Sequence, residues 1–375
     1  MKNKGQVEVQ FNWIFILIVG AIILSFFVVI AMRQKQASES SINVGFFVNF
    51  EKALSGISVV EGKKLLFEVP NMDLNYECTQ SCDCAAYAGV SRARASASFN
   101  MRDKLIFSPN KLKGNHLLTM STAWSYPFRI VNFLYITSPE VKYLIEDTPL
   151  GNSFYNLLPD KVLRVEQTEQ RAFDKQLFTP DQPIKAISGN YKAKFTFIES
   201  KPEDFTIPSE LVNLPNKDVT AIYFEKTAGS PERIRFYEKD SSDKTKFRET
   251  GVSYSFGEAT QIGAIFAEDL NAYACMMNKA LKKYEMVARV YLEKQNALVV
   301  KINEILLTNP SSPLKNCLIS YVNSYMDEVI INVPNINFKN QLGENDIAAR
   351  DLTSNVRSIS LQNDNAIRGS CPQIY

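Results

Sequence analysis

Six cysteines are the residues of this 375-residue chain best suited to covalent chemistry: Cys78, Cys82, Cys84, Cys275, Cys317 and Cys371. The first three form a C-x3-C-x-C triplet, and the others are scattered. An even number predicts disulfides in an oxidising compartment, whereas cytosolic thiols would favour metal binding or free cysteines. Structural zinc sites usually repeat a C-x-x-C spacing or add histidine pairs, and neither accompanies the triplet. We therefore favour disulfides and expect no bound metal.

The spacing of the cysteines restricts their pairing without determining it. Cys82 and Cys84 are not expected to bond with each other, because a single intervening residue strains the required geometry. Cys371 lies in the terminal "GSCPQIY", where a bond would hold a tail that otherwise frays. We predict that Cys371 bonds to a remote partner, either in the triplet or at Cys275.

A long amphipathic helix is predicted to run from about residue 260 to Thr308, where Asn-Pro ends it. A second helix follows Pro313. In a straight antiparallel hairpin, Cys317 lies near the turn and Cys275 lies about 50 Å away at 1.5 Å per residue. These two cysteines are therefore expected to have other partners unless the helix bends near residues 294–296.

The side chains that usually carry catalysis are sparse. The only histidine, His116, stands between a Gly-Asn turn and an apolar run, where we expect it to begin a strand. The sequence contains no G-x-G-x-x-G, P-loop, G-x-S-x-G or H-E-x-x-H motif. Glu268 and Asp269 diverge by about 100° on a helix and are expected to be solvated charges. Catalytic residues are thus unknown, and no cofactor is expected.

The overall composition is that of a folded protein, with 45% hydrophobic and 22% charged residues. Lys and Arg total 42 against 40 Asp and Glu, so charge gives no reason to expect nucleic acid as a partner. The 24 Phe and 16 Tyr favour a core containing β-sheet.

Strand-like segments rich in β-branched and aromatic residues fill the middle of the chain, at 64–69, 104–108, 116–124, 128–137, 191–200, 218–227 and 232–240. The last two form a predicted hairpin. Ser138 and Pro139 can begin a helix directly after the strand at 128–137, and "TIPSELVNL" resembles a helix after 191–200. We predict an α/β or α+β fold with a mixed sheet and a long-helix C-terminal region.

One segment is apolar enough to cross a membrane. Residues 11–32 are 22 residues without a charge, which as a helix span about 30 Å. Trp13 at one edge and Arg33 and Lys35 at the other are typical interface anchors. The run is longer than a secretory h-region, so we favour a retained transmembrane helix over a cleaved signal.

The helix is predicted to continue beyond the membrane. Ile42, Phe46, Phe50 and Leu54 lie four residues apart and form an apolar stripe, and Gly56 can end the helix. We expect this part to project as a stalk.

Lys4, Gly5 and Gln6 directly precede the apolar helix. This segment resembles the class III signal peptides of archaeal type IV pilin-like proteins, over about the first 35 residues. The "FNWIF" stretch also resembles N-terminal anchors of archaeal membrane proteins without an assigned function. The resemblance implies peptidase cleavage between Gly5 and Gln6 on the cytoplasmic side. Many pilins carry Glu at the fifth mature position, whereas this chain has Gln10, which favours anchoring over filament assembly.

These observations predict a leader-like N-terminus (1–10), a transmembrane helix (11–32), a helical stalk (33–56), a mixed-sheet domain (57–260) and a helical region packed on it (261–375). The resemblance implies a cytoplasmic N-terminus and an external bulk. We expect a single-pass membrane protein serving as a surface, structural or binding component. Its expected partners are the lipid bilayer and other surface or pilus-like proteins. The alternatives are an anchored, carboxylate-based hydrolase of the cell envelope and a minor filament pilin.

Overall fold

The structure is a computed structural model. It describes residues 5–375, apart from 71–72, 90–91, 93–94, 96, 102, 160, 164–168, 172, 183, 185–190, 226–231, 322–324, 337 and 339–345. It describes only the backbone at residues 5–12, 14, 36, 39–40, 161–163, 169–171, 319 and 346.

The helices of the described chain are α1 (Gly5–Ser58), α2 (Pro149–Leu157), α3 (Ser209–Val212), α4 (Glu258–Phe266), α5 (Leu270–Thr308), α6 (Lys315–Tyr321), α7 (Tyr325–Asn332) and α8 (Asp346–Arg368). The strands are β1 (Lys64–Glu68), β2 (Leu74–Cys78), β3 (Cys84–Ala88), β4 (Ala97–Asn100), β5 (Ile106–Phe107), β6 (Lys111–Leu112), β7 (His116–Ser125), β8 (Arg129–Thr137), β9 (Val141–Glu146), β10 (Lys161–Leu163), β11 (Glu169–Arg171), β12 (Asp174–Phe178), β13 (Lys192–Phe197), β14 (Val219–Glu225), β15 (Glu232–Lys239) and β16 (Phe247–Ser255).

The strands form a mixed α/β architecture, as the sequence predicts. The largest sheet has the order β12-β9-β13-β14-β15-β16; its first four strands are parallel and its last two pair antiparallel. Two four-stranded sheets, β1-β7-β8-β5 and β4-β3-β2-β6, and a two-stranded β10-β11 ribbon accompany it. Each of the seven predicted strand segments contains a strand, and the predicted hairpin is the antiparallel β14–β15 pair.

Both faces of the six-stranded sheet are covered. One face packs against α4 and the start of α5, where Phe266 and Tyr273 are buried. The other holds a phenylalanine-rich cluster in which Phe205 contacts Phe195 and Phe178, with ring centroids 5.4 and 5.7 Å apart. Polar side chains on the central strands are therefore buried even where the strand alternates polar and apolar residues.

The segment after Ser138 is a strand, so the predicted helix there is wrong. All six residues of β9 are buried, with Val141 and Tyr143 in the core under α4 and Leu144 in the opposite cluster. A strand covered on both faces needs apolar residues at every position, and such a run also resembles a buried helix. The helix begins later, where the Thr148 hydroxyl accepts a 3.0 Å hydrogen bond from the Gly151 N–H.

Helix α1 is continuous for 54 residues and enters the core at its C-terminal end. Phe47, Phe50, Leu54 and Ile57 are buried. Ile42, in contrast, is 54% exposed and does not belong to the packed face, which corrects the predicted stripe. The packed face passes through residue 47 because helix residues meet a neighbour at alternating three- and four-residue spacings. The last turns of α1 are therefore part of the fold and not a free stalk.

The predicted long helix is two helices, separated at Ala267–Asp269. The Asp269 carboxylate accepts a 2.8 Å hydrogen bond from the Ala272 N–H and so begins α5. The predicted end at Thr308 is confirmed, and no break occurs between Leu270 and Thr308.

The six cysteines form three disulfides: Cys78–Cys84, Cys82–Cys275 and Cys317–Cys371. Cys82 and Cys84 do not bond with each other, nor do Cys275 and Cys317, as their spacings predict. The remote partner predicted for Cys371 is wrong.

The pairing of Cys371 with Cys317 follows from helix packing. Helices α6 and α8 pack together and place the Cα atoms of Cys317 and Cys371 5.7 Å apart. The tail is held at two further points. The Tyr321 hydroxyl donates to the Pro372 carbonyl at 2.5 Å, and the Ile374 N–H donates to Asn363 Oδ1 at 2.9 Å.

The disulfides differ in the length of chain they close, which predicts different contributions to stability. Cys82 and Cys275 are 193 residues apart, whereas Cys78 and Cys84 are 6 apart. Loop-closure entropy then predicts stabilisation of about 5 kcal/mol for the first and about 2 kcal/mol for the second. We expect Cys82→Ala/Cys275→Ala to lower the Tm more than Cys78→Ala/Cys84→Ala, measured in detergent. Equal shifts, or the reverse order, would contradict this. Without reductant, alkylation should modify no thiol.

Candidate functional site

The N-terminal part of α1 contains one candidate membrane span. Phe15–Lys35 contains an 18-residue window with a mean hydropathy of 3.1, and none of that window is buried in the structure. Trp13, 67% exposed, lies two residues before this span, and Arg33 and Lys35 lie at its other end. The span begins and ends a few residues later than the predicted 11–32.

The predicted leader lies at the beginning of α1. Gly5 and Gln6 are its first two residues, described as backbone only, and residues 1–4 lie outside the described residues. The resemblance to class III signal peptides therefore stays a prediction.

The six-stranded sheet has a topological switch point between β9 and β13, because β12 lies on one side of β9 and the chain then crosses to the other. In open α/β sheets, ligands usually bind at the carboxyl ends of the strands at such a point. Here the buried Glu146 carboxylate fills the position. It accepts backbone N–H bonds from Glu199 at 2.8 Å and Ser200 at 3.0 Å, and also from Ile198. The chain thus supplies its own anion at the usual ligand position.

Two lysines lie at the opposite end of the same sheet. Lys192 and Lys194 alternate with Ala193 and Phe195 on β13 and point toward α4 and α5. They are 0% and 4% exposed, respectively. A buried ammonium group requires charged or strongly polar partners, and the break between α4 and α5 provides them.

Lys192 is the centre of an ion-pair network. Its Nζ lies 2.6 Å from Glu268 Oε1 and 3.2 Å from Asp218 Oδ1. It also donates to Asn110 Oδ1 at 3.1 Å, while the Asn110 N–H donates to Glu268 Oε2 at 3.0 Å. Glu268 is thus a buried ion-pair partner, and the expectation that it is a solvated charge is wrong. Asp269, expected to be solvated as well, is the N-cap of α5.

Lys194 has a different environment. Its Nζ donates to the carbonyl oxygen of Ala267, the residue that ends α4. Desolvation lowers the pKa of Lys194 to about 8, although the negative charge of Glu268 acts in the opposite direction. Lys194 therefore releases its proton at lower pH than an exposed lysine does, but it still carries its charge at pH 7.

A cavity of about 430 Å³ opens beside Lys194. We call it the Lys194 cavity; it lies between β14–β16 and the start of α5, and its walls include Thr220, Ile222, Phe236 and Leu270. Its volume is within the range of small-molecule sites. Gly251, at φ 153°, adjoins it, and a Cβ there would lie 2.5 Å from Leu270 Cδ2. The glycine therefore permits Leu270 to approach the sheet.

Other buried lysines of the sheet bind carbonyl oxygens at helix ends. Lys175 Nζ donates to the Tyr155 and Leu158 carbonyls at 2.5 and 2.7 Å, beside the end of α2. Lys239 Nζ donates to the carbonyls of Leu211 and Val212 at 2.9 and 2.8 Å, at the end of α3. The bond from Lys194 to Ala267 has the same form, so holding a helix end is part of its role. Lys194 differs in lining a cavity.

Sequence reasoning missed both lysines. "KAKF" on a strand indicates lysines on a solvated face, and only the sheet order shows that β13 is central and covered. His116 begins β7, as predicted. The carboxylates that line the Lys194 cavity are Glu238, Glu268 and Asp269, and each is already bound within the protein. The described lining thus holds no pair of facing, unengaged carboxylates of the kind a glycosidase uses.

Removing the carboxylate from the network should be costly. We expect Glu268→Gln to lower the free energy of unfolding by about 3 kcal/mol, because it leaves the buried Lys192 ammonium undercompensated. The matched control is Glu304→Gln on α5, since the exposed Glu304–Lys301 pair should contribute no measurable stability. Denaturant unfolding followed by tryptophan fluorescence measures both variants, and equal effects would contradict a structural role for the buried pair.

The depressed pKa of Lys194 has a signature in the pH dependence of stability. The unfolded chain keeps this proton to about pH 10.5, whereas the folded chain releases it near pH 8. The unfolded state therefore binds more protons between these values, and the unfolding free energy rises with pH there by an amount on the order of 3 kcal/mol. Lys194→Met lacks this group, so the difference between wild type and variant should change from pH 7 to 10. Parallel curves would contradict it.

Comparisons of the chain with models of protein families, with curated proteins and with solved structures give no match. Its function is therefore inferred from the geometry of its own residues.

Proposed function

We propose that this chain is a single-pass membrane protein whose folded part lies outside the cytoplasm and serves as a binding or structural component of the cell surface. The observation that carries the proposal is the continuity of α1. One helix contains the candidate span Phe15–Lys35 and then enters the core of a disulfide-bonded fold. The lipid bilayer is the first partner.

The exposure pattern along α1 supports the bilayer as partner. Phe15, Leu17, Leu24 and Phe27 are each more than 60% exposed. Leaving such large apolar side chains in water costs about 1.5–3 kcal/mol each. A continuous run of them therefore requires an apolar environment around it. About 16 Å of helix separates Lys35 from the first packed residue, Phe46. The fold is thereby held close to the membrane surface.

The cysteines support a location of the folded part outside the cytoplasm. All six are paired, and such structural disulfides persist in oxidising environments and are rare in the cytosol. The side of the membrane that lies away from the cytoplasm provides those conditions. A cytoplasmic N-terminus follows for a single span, and it agrees with the proposed cleavage between Gly5 and Gln6.

The folded part favours binding over hydrolysis. The Lys194 cavity has the volume of a ligand site, but its carboxylates are engaged in the protein's own bonds. Filament assembly is not favoured either, because Gln10 stands where many pilins have Glu. We therefore propose pilin-like export and anchoring without filament formation.

Labelling in cells tests the orientation. In otherwise unchanged protein, Val59→Cys places a thiol on a side chain that is 75% exposed after the span, and Val7→Cys places the matched thiol before it. A membrane-impermeant maleimide should label Val59→Cys in intact cells and Val7→Cys only after lysis. The reverse pattern would overturn the proposal. N-terminal sequencing should begin at Gln6, and an intact Met1 would refute the cleavage alone.

A further inference from the structure

We propose that the Lys194 cavity binds a small carboxylate with an apolar body, whose charged end pairs with Lys194. This inference rests on the proposed role as a surface binding protein and names the ligand class of its cavity. It is carried by the cavity itself, by a buried lysine in its wall and by the state of the neighbouring hydrogen-bonding groups.

Each anionic group that lines the cavity has a partner within the fold. Glu268 pairs with Lys192, and Glu238 pairs with Arg248 at 2.5 Å. The Asp269 carboxylate accepts from the Ala272 N–H in the first turn of helix α5. Glu268, the buried carboxylate, is thus compensated within the fold, whereas Glu238 is partly exposed and Asp269 is exposed, so water screens their charges.

The groups that remain available are donors. Lys194 carries three N–H donors, and its partner among the described residues is a single neutral carbonyl. Thr220 and Asn110 also line the cavity, and each side chain carries a hydrogen-bond donor, while the Asn110 Oδ1 already accepts from Lys192. A ligand must therefore present acceptors, and the buried ammonium prefers an acceptor that carries negative charge.

Charge matching favours one negative charge over two. Lys194 is the buried cation of the cavity whose described partner is neutral, whereas Lys192 already has two carboxylates. A monoanion would neutralise Lys194, while a phosphate dianion would add a second charge that no buried cation of the described lining balances. Lys217 lies at the exposed mouth, where water screens its charge.

The remaining walls select an apolar body. Ile222 and Phe236 are buried, and Leu270 packs over Gly251 at the bulge where β15 and β16 change register. Bulges commonly occur beside binding sites because they bend a strand away from its neighbour. A chain of a few carbons would cover these side chains, and 430 Å³ restricts the ligand to a small molecule.

Isothermal titration of the full chain in phospholipid nanodiscs tests the proposal, with sodium hexanoate as the probe. Hexanamide, which has the same carbon chain without the charge, corrects for partition into lipid. We expect saturable hexanoate binding that is tighter than binding of acetate. Lys194→Met should weaken it at least tenfold. The matched control is Lys175→Met, which removes another buried sheet lysine outside the cavity and should change the affinity less than twofold.

A second variant tests the proposal even if Lys194→Met fails to fold. Thr250 lies at the cavity wall on an exposed part of β16, so Thr250→Trp should close the mouth without entering the core and abolish hexanoate binding. Absence of saturable hexanoate binding overturns the proposal, as does equal binding of hexanamide, tighter binding of inorganic phosphate, or unchanged affinity in Lys194→Met or Thr250→Trp. Such failure leaves the maleimide labelling unaffected, whereas reversed labelling would refute the membrane orientation and leave hexanoate binding intact.

Discussion

The ion pair between Lys192 and Glu268 connects the two halves of this fold. A buried lysine at the start of a central strand needs charged or strongly polar partners, and Glu268 provides a carboxylate from the break between α4 and α5. The same break places Asp269 where it begins α5, and α5 carries Cys275 to Cys82. The direction of the 39-residue helix therefore depends on an electrostatic requirement of the sheet.

The lysines of the six-stranded sheet extend this constraint. Lys175, Lys194 and Lys239 each donate to carbonyls at a helix end, where backbone acceptors lack partners within the helix. Their burial thus satisfies two sets of groups at once, the ammonium and the carbonyls. Among these three lysines, Lys194 lines the described cavity, which also lies beside the bulge between β15 and β16.

The two parts of helix α1 have different patterns of apolar residues. Its first part has apolar residues on all sides, as a bilayer requires, and its last turns have one apolar face, as a protein core requires. The change occurs within one unbroken helix. No described loop separates the candidate span from the packed turns, so one helix axis joins the span to the fold.

Much of the local structure was predictable from the sequence because it depends on neighbours along the chain. The apolar run of α1, the predicted strand segments and the end of α5 at Asn309-Pro310 are such features. Prediction failed where the decisive partner was distant. The sequence of β9 predicts a helix because a strand buried on both faces has no alternation, and the pairing with β12 and β13 is what makes it a strand.

The sequence by itself determined that this chain carries a membrane-length apolar helix, a mixed α/β fold and an even set of cysteines. Length, periodicity and composition are properties of short segments, so they can be read without knowing what packs against them. The pairing of Cys371 with Cys317, the burial of Lys192 and Lys194, and the cavity beside them were decided by tertiary structure alone. Each depends on the proximity of residues far apart in the chain, and burial and electrostatic pairing act through space.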